Sequence, residues 1–506
     1  MRTGISLAVL LGCLYSLVAC GGQSSQYTST PPPASYTIGG SVAGLSGSGL
    51  VLQDNGGNNL SLNPNQTSFV FPTPITSGGT YSVTVLTQPS NPAQTCTIVN
   101  GSGTATASVN TVALSCMTAK TNEWTWVSGP NTMGDEQDTD SPSARSGAAG
   151  WIDRSGNIWI FGGDFQYPNG QNVFLNDFWE YSAGTWTAIN SSNVVPEERS
   201  AAATWSDSSG NLWLFGGLDA PAHGAGILLS DLWEYSNGQW IEVNVSGDVP
   251  GARYGSLAWT DKSGNFWLWG GNGFPTSDQS QAYGLLNDMW EFSGGKWSLI
   301  NGSSVTNQPG AYGTLGKAAK TNIPGSRYYS VSWIDQSGNL WLFGGSGLDS
   351  KGAGGSLNDL WKYSAGQWTW MGGPNVANQP ANYGSQGVTA AANLPGARWG
   401  SVGWTDSSGT FWLFGGTGIG STSSDIGVFN DLWKFSAGTW TWVGGANQVD
   451  PQGSYGTLGV PDPGNVPGGR NSALSLTDAS GNFWLFGGIG VFAGDPSFGD
   501  LWEYLP

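Results

Sequence analysis

Asp153-Arg154-Ser155-Gly156, followed by Asn157-Ile158-Trp159-Ile160-Phe161 and the pair Gly162-Gly163, decides the fold, because the chain repeats it. A polar turn ending in Gly, then a short apolar run bearing Trp, reads as a hairpin leading into a buried strand. The turn returns as Asp207-Ser208-Ser209-Gly210 and onward to Asp478-Ala479-Ser480-Gly481. Glycine pairs return at Gly216-Gly217, Gly270-Gly271, Gly344-Gly345, Gly415-Gly416 and Gly487-Gly488, which makes six units. Downstream of each pair, past a variable loop, comes Asp-x-Trp, as in Asp177-Phe178-Trp179. A second Trp follows seven residues later at Trp179/Trp186, Trp233/Trp240, Trp290/Trp297, Trp361/Trp368 and Trp433/Trp440. Upstream of each turn an Arg opens the unit, and small residues follow it in Ser146-Gly147-Ala148-Ala149 and Ser200-Ala201-Ala202-Ala203. Each unit therefore holds four short strands, and small side chains on the innermost suit crowding about a common axis.

Arg, the small-residue strand, the glycine pair, Asp-x-Trp and the further Trp together resemble the kelch repeat. The resemblance covers residues 123–506, about three quarters of the chain, and implies a six-bladed β-propeller. The sixth unit stops at Trp502-Glu503-Tyr504-Leu505-Pro506, one strand short. Trp124-Thr125-Trp126-Val127-Ser128-Gly129-Pro130-Asn131 matches the fourth strand of the fourth unit, Trp368-Thr369-Trp370-Met371-Gly372-Gly373-Pro374-Asn375. Strand 123–128 is thus expected to complete the last blade of a 119–506 propeller and leave no open edge.

The first residues are an address. Arg2, an apolar stretch from Ile5 to Ala19 too short to span a bilayer, and Leu17-Val18-Ala19-Cys20 resemble a bacterial lipoprotein signal. That resemblance implies a signal peptide over 1–19, a lipid on Cys20, and a home in the cell envelope, at the outer membrane or cell surface. Residues 20–34 carry the lipidated Cys and a Ser, Thr and Pro-rich linker that has no core to pack. Residues 35–118 contain no Trp, Lys or Arg, whereas all 28 Trp follow residue 123, so a domain boundary falls between. Alternation such as Tyr81-Ser82-Val83-Thr84-Val85 between Gly and Asn turns reads as a small antiparallel sandwich. It resembles the Ig-like or transthyretin-like spacers of bacterial surface proteins. Cys96 and Cys116 are expected to form a disulfide in an oxidising compartment. The fold class is therefore all-β: a small sandwich, then the propeller.

Of 506 residues, 81 are Gly and only 50 are charged, yet 38% are hydrophobic, too much buriable surface for a disordered chain. The net charge of −18 argues against nucleic acid as a partner. Galactose oxidase also carries kelch repeats, but its copper site needs two His and a Cys-linked Tyr. The single His here is His223, in a loop, and the propeller has no Cys, so copper oxidase chemistry is excluded. No cofactor or metal is expected. The acidic run Gly134-Asp135-Glu136-Gln137-Asp138-Thr139-Asp140 lacks the spacing of a calcium loop and reads as a solvated turn.

Loop length breaks the repeat. From the outer Trp to the next Arg is 13 residues in the first two units and 30 in the next three, ending at Arg327, Arg398 and Arg470. Each long loop carries one Tyr in a shared frame: Tyr312, Tyr383 and Tyr455. Propeller topology puts these loops and those after the glycine pairs on one face, where they would wall the channel mouth. Binding concentrates on such loops, so this face is expected to engage a protein or a glycan. Tyr312, Tyr383 and Tyr455 would stack, and Arg327, Arg398 and Arg470 would hold anionic groups, as in some eukaryotic kelch domains. The other reading of the repeated Arg is structural, capping carbonyls or pairing with an in-register Asp. A second function follows from the likeness to sialic-acid mutarotases, which use Glu and Arg at the mouth; Glu198 and Arg199 are the candidates. A third is a structural envelope protein with a closed, non-polar mouth.

Overall fold

The computed structural model describes residues 34–90, 94–118, 121–134, 140–166, 172–190, 194–219, 226–278, 280–490 and 497–506. The chain divides after Thr118 into two compact units, and the described residues are all strand, turn and loop. In the first unit the alternating stretch forms Thr80–Thr87, burying Tyr81 and Val83 and exposing Ser82 and Thr84. Two four-stranded sheets form: Ser68–Val70, Ile38–Ala43, Val109–Thr118 and Gln94–Val99 in one, Asn58–Ser61, Val51–Asp54, Thr80–Thr87 and Ser102–Thr104 in the other. One core draws Ile38 and Val112 from the first and Leu52 and Val83 from the second. Cys96 and Cys116 stand opposite each other on neighbouring strands and are joined by a disulfide, S–S 2.06 Å.

The second unit is built from antiparallel sheets arranged as six repeats in sequence order, the fifth divided into a three-stranded and a four-stranded sheet. The first is typical: Ala149–Ile152, Ile158–Gln166, Asn172–Ser182 and Thr185–Ala188, from axis to rim. The innermost strands touch in succession, Ala149–Ile152 to Ala203–Ser206, on to Leu257–Thr260, Val331–Ile334, Val402–Thr405 and Leu474–Thr477, and back to the first. The ring is sealed across the sequence termini of this unit: Leu501–Leu505 pairs antiparallel with Glu123–Ser128, setting Trp126 opposite Trp502. Trp from one sheet packs on aromatic rings of the next, as Trp205 does on Phe266, and these contacts form a succession of buried clusters.

The glycine pair has a geometric cause. Gly162 and Gly163 lie at φ 63° and 99°, in the left-handed region, and the Gly163 N–H donates to the Arg199 carbonyl of the next sheet at 2.8 Å. A Cβ on Gly162 would lie 2.7 Å from that same carbonyl. The pair therefore lets the backbone of one sheet touch the next, and the same bond recurs at Gly416 and Gly488.

Candidate functional site

The repeated Arg, two residues before each axial position, is spent inside the fold. Arg327 donates through both terminal nitrogens to Asp359, at 2.6 and 2.8 Å, through Nη1 to the Gly344 carbonyl, and through Nε to the Gly325 carbonyl. Asp359 is the Asp of Asp-x-Trp, and Trp361 Nε1 donates to its second oxygen at 2.7 Å. The same arrangement joins Arg145 to Asp177, Arg199 to Asp231, Arg253 to Asp288, Arg398 to Asp431 and Arg470 to Asp500. Guanidinium and carboxylate meet fork to fork, the strongest geometry open to them.

The long loops complete these networks instead of walling a mouth. Tyr312 donates its hydroxyl to Asp359 at 2.6 Å, Tyr383 to Asp431 at 2.8 Å, and Tyr455 to Asp500 at 2.6 Å. Each loop also clips the rim strand of the sheet it precedes: Gly316 N–H donates to Trp370, Gly387 N–H to Trp442, and Gly459 N–H to Trp126 of the closing strand. Burial and the neighbouring carboxylate hold all three Tyr hydroxyls far above their usual pKa. Tyr312, Tyr383, Arg327, Arg398 and Arg470 are buried and Tyr455 is half-buried, and each already has its partners. The expected ligand-binding role for these six is corrected accordingly: they fasten loop to blade. Arg199 is likewise buried in its pair with Asp231, which leaves half-exposed Glu198 without the anion-holding partner that an enzyme reading assigned to it. His223, Cys20 and Asp135–Thr139 lie outside the described residues.

What faces the axis is a different set. Two residues beyond each Arg stand Gly147, Ala201, Gly255, Tyr329, Gly400 and Ser472, all at positive φ between 52° and 65°. Each N–H donates to the carbonyl of the equivalent residue one sheet back: Ala201 to Gly147, Gly255 to Ala201, Tyr329 to Gly255, Gly400 to Tyr329, Ser472 to Gly400, and Gly147 to Ser472, all at 2.8–3.0 Å. Six backbone bonds thus close a hoop around the axis, beside a cavity of about 130 Å³. Three hoop members are not Gly, in a conformation that costs such residues roughly 1 kcal/mol or more. Only one, Tyr329, carries a large side chain.

Tyr329 belongs to a cluster at the Arg end of the axis. Its ring centroid lies 5.0 Å from Tyr328, 6.0 Å from Tyr254 and 5.8 Å from Trp399. The Tyr254 hydroxyl accepts from Asn272 Nδ2 at 3.1 Å. Asp164, which follows the first glycine pair, is near enough for its charge to act on the Tyr329 hydroxyl. Its carboxylate accepts from Ser200 Oγ at 2.6 Å and Ser146 Oγ at 3.0 Å and has no cationic partner among the described residues. Burial raises the Asp164 pKa, against the lowering effect of the two hydroxyls and of its own backbone N–H. Burial first, then the Asp164 charge, pushes the Tyr329 hydroxyl well up. An aromatic platform with a half-buried, hydroxyl-held carboxylate near it can stack an apolar ligand face and accept hydrogen bonds at its edge. No group of three or more metal-ligating side chains occurs among the described residues.

Sequence reasoning missed Asp164, Tyr254, Tyr328, Tyr329 and Trp399. A signal existed: after the invariant Arg the chain reads Ser, Ser, Tyr, Tyr, Trp and Asn in turn, and after the glycine pair Asp, Leu, Asn, Ser, Thr and Ile. These are the positions where the repeat stops repeating.

Sheets of four strands, closed about an axis by their own first strand, define a β-propeller. A family model described as the KLHDC2/KLHL20/DRC7 Kelch-repeats domain matches residues 92–315, which include the first three sheet units. Among solved structures, one described as YjhT is similar over 72% of this chain and 95% of its own, at 14% identity and TM-score 0.45. A fungal alcohol oxidase of the AA5 family, in complex with copper, is similar over 74% and 77%, at 13% identity and TM-score 0.42. The second unit of this protein is a kelch-repeat β-propeller.

Proposed function

We propose that this protein is an exported, lipid-anchored binding protein whose propeller captures a glycan at the Arg end of its axis. The observation that carries the reading is the cluster of Tyr254, Tyr328, Tyr329 and Trp399, with the charge of Asp164, a carboxylate that accepts from Ser146 and Ser200, acting on Tyr329. Sugar C–H faces stack on aromatic rings, and sugar hydroxyls donate to a carboxylate. The identified members of this platform include no cation, which favours a neutral saccharide over a sialic acid. Retention in the envelope through Cys20 would keep the propeller at the cell boundary, where glycans are met.

A glycan array with the whole protein tests this, followed by titration of the best ligand against Trp399→Ala and Asp164→Asn. Loss of a stacking ring or of a charged acceptor should weaken binding by about tenfold or more each. Glycan capture untouched by both variants, or no glycan capture alongside a protein found in pull-down, would sink the proposal. Radiolabelled palmitate incorporation lost in Cys20→Ala checks the anchor.

A further inference from the structure

Five of the six sheets carry Trp at one inner-strand position: Trp151, Trp205, Trp259, Trp333 and Trp404. Four reach across to the next sheet, donating Nε1–H to the carbonyl of Trp205, Trp267, Trp412 and Trp484 in that order, at 3.0–3.3 Å. Three of those four also lie flat on a Phe of the next sheet: Trp205 on Phe266, Trp333 on Phe411 and Trp404 on Phe483, at 5.1–5.4 Å and 6–14°. Trp259 does neither. It lies on Trp267 of its own sheet, at 5.7 Å and 15°, and its Nε1–H has no hydrogen-bond partner among the described residues.

The next sheet offers Leu340 where the three sister junctions offer Phe. Leu alone does not turn the indole away, since Trp151 faces Leu212 at the same register and keeps its bond. At the third junction the space left open is a cavity of about 360 Å³. Its walls include Trp259, Trp267, Tyr363, Ile300 and Leu340, with Asp261 beside them. Lys262 Nζ donates to the Gln336 carbonyl and ties together the hairpin turns of the two sheets, Asp261–Gly264 and Asp335–Gly338, so the cleft is braced. Volume, aromatic walls and a single orphan donor are what a small-molecule site consists of.

We infer that this cleft is a second binding site, for a small neutral molecule with a planar apolar ring and one carbonyl-type acceptor. The ring lies among Trp259, Trp267 and Tyr363, and the acceptor takes the Trp259 Nε1–H that its four counterparts spend on backbone. Asp261 disfavours an anion. The site sits among the hairpin turns, whereas the glycan platform sits at the opposite ends of the same strands, so neither reading depends on the other.

Benzamide, a planar ring with a neutral carbonyl, is the probe, and benzoate is its anionic counterpart. Saturation-transfer NMR and titration with the whole protein should give benzamide a dissociation constant on the order of millimolar. Benzoate should bind about tenfold more weakly or worse. Leu340→Phe, which installs the ring of the sister junctions, should abolish benzamide binding. Trp259→Phe keeps a ring and removes the donor, and should weaken binding about three- to tenfold. Trp399→Ala, at the other end of the axis, should leave the benzamide dissociation constant where it is while it weakens glycan binding. The inference is overturned by an absent wild-type signal, by equal binding to wild type and Trp259→Phe, or by binding that follows Trp399 instead.

Discussion

Six copies of one Arg–Asp pair, differing in how water reaches them and in whether a long-loop Tyr joins them, allow a test of what the long loops do. The Arg side chains are 0–1% exposed in every copy. Their Asp partners are not alike: Asp177 is 38% exposed and Asp231 20%, whereas Asp359, Asp431 and Asp500, beneath the loops bearing Tyr312, Tyr383 and Tyr455, are 0% exposed, and Asp288, 1% exposed, lies where Arg253 is also held by the Phe274 and Pro275 carbonyls. Asp431→Asn keeps the shape but leaves the Arg398 guanidinium buried with no counter-charge, a change that costs about 3–5 kcal/mol. Asp177→Asn does the same to Arg145 where water can enter beside it, so the cost falls to about 1 kcal/mol. Asp231→Asn should fall between. Urea unfolding followed by Trp emission reads this cleanly, because all 28 Trp follow residue 123 and none reports on the first unit. Equal losses at Asp177 and Asp431 would refute the claim that loop cover sets the strength of these pairs.

Tyr383→Phe removes one hydroxyl donor from Asp431 while Arg398 and Trp433 remain; urea midpoints should show a loss of about 1–2 kcal/mol, and the glycan titration should not move. Cys96→Ser with Cys116→Ser opens a 20-residue loop and should destabilise the first unit by about 3 kcal/mol, seen in far-UV dichroism, with Trp emission unchanged. Glu503 has its pKa raised from 4.5 to about 7, by burial first and then by the Asp478 carboxylate. A folded-state pKa above the unfolded one means the fold prefers the protonated acid, so its contribution is full below pH 4.5 and lost as pH rises through about 7. Stability of the propeller should fall by about 2–3 kcal/mol across that window, and Glu503→Gln should flatten the fall.

The fold was legible because each repeated residue answers one geometric demand. At the glycine pair a Cβ would lie 2.6–2.7 Å from backbone carbonyl oxygens while φ is positive, so Gly162-Gly163 and its copies announce themselves. The closing strand was legible for a similar reason: Trp124 and Trp126 match Trp368 and Trp370 because both pairs meet the same neighbours on a rim strand. The long-loop Tyr were misjudged because sequence gives their position in a loop but not the acceptor. Tyr312 finds Asp359 47 residues away, and nothing local to Gly310–Gly316 records that bond. A Tyr among glycines looks like an exposed anchor until the buried carboxylate beneath it is known.

Repetition also tells where function can reside. A position that answers a demand shared by every sheet cannot vary, and the Arg, the glycine pair and Asp-x-Trp do not. Freedom is left just past the Arg and just past the glycine pair, where side chains meet the axis and no neighbouring sheet dictates their size. There the six copies diverge into Ser, Tyr, Trp and Asp, and there the aromatic platform and Asp164 assemble. Trp259 is the complementary case, a residue that kept its identity while its neighbour Leu340 did not take the sister junctions' Phe. Both departures are visible only against the register of the other copies. In a closed ring of near-identical sheets, each copy is the control for the next, and a broken contact or an unmatched carboxylate marks the places to test.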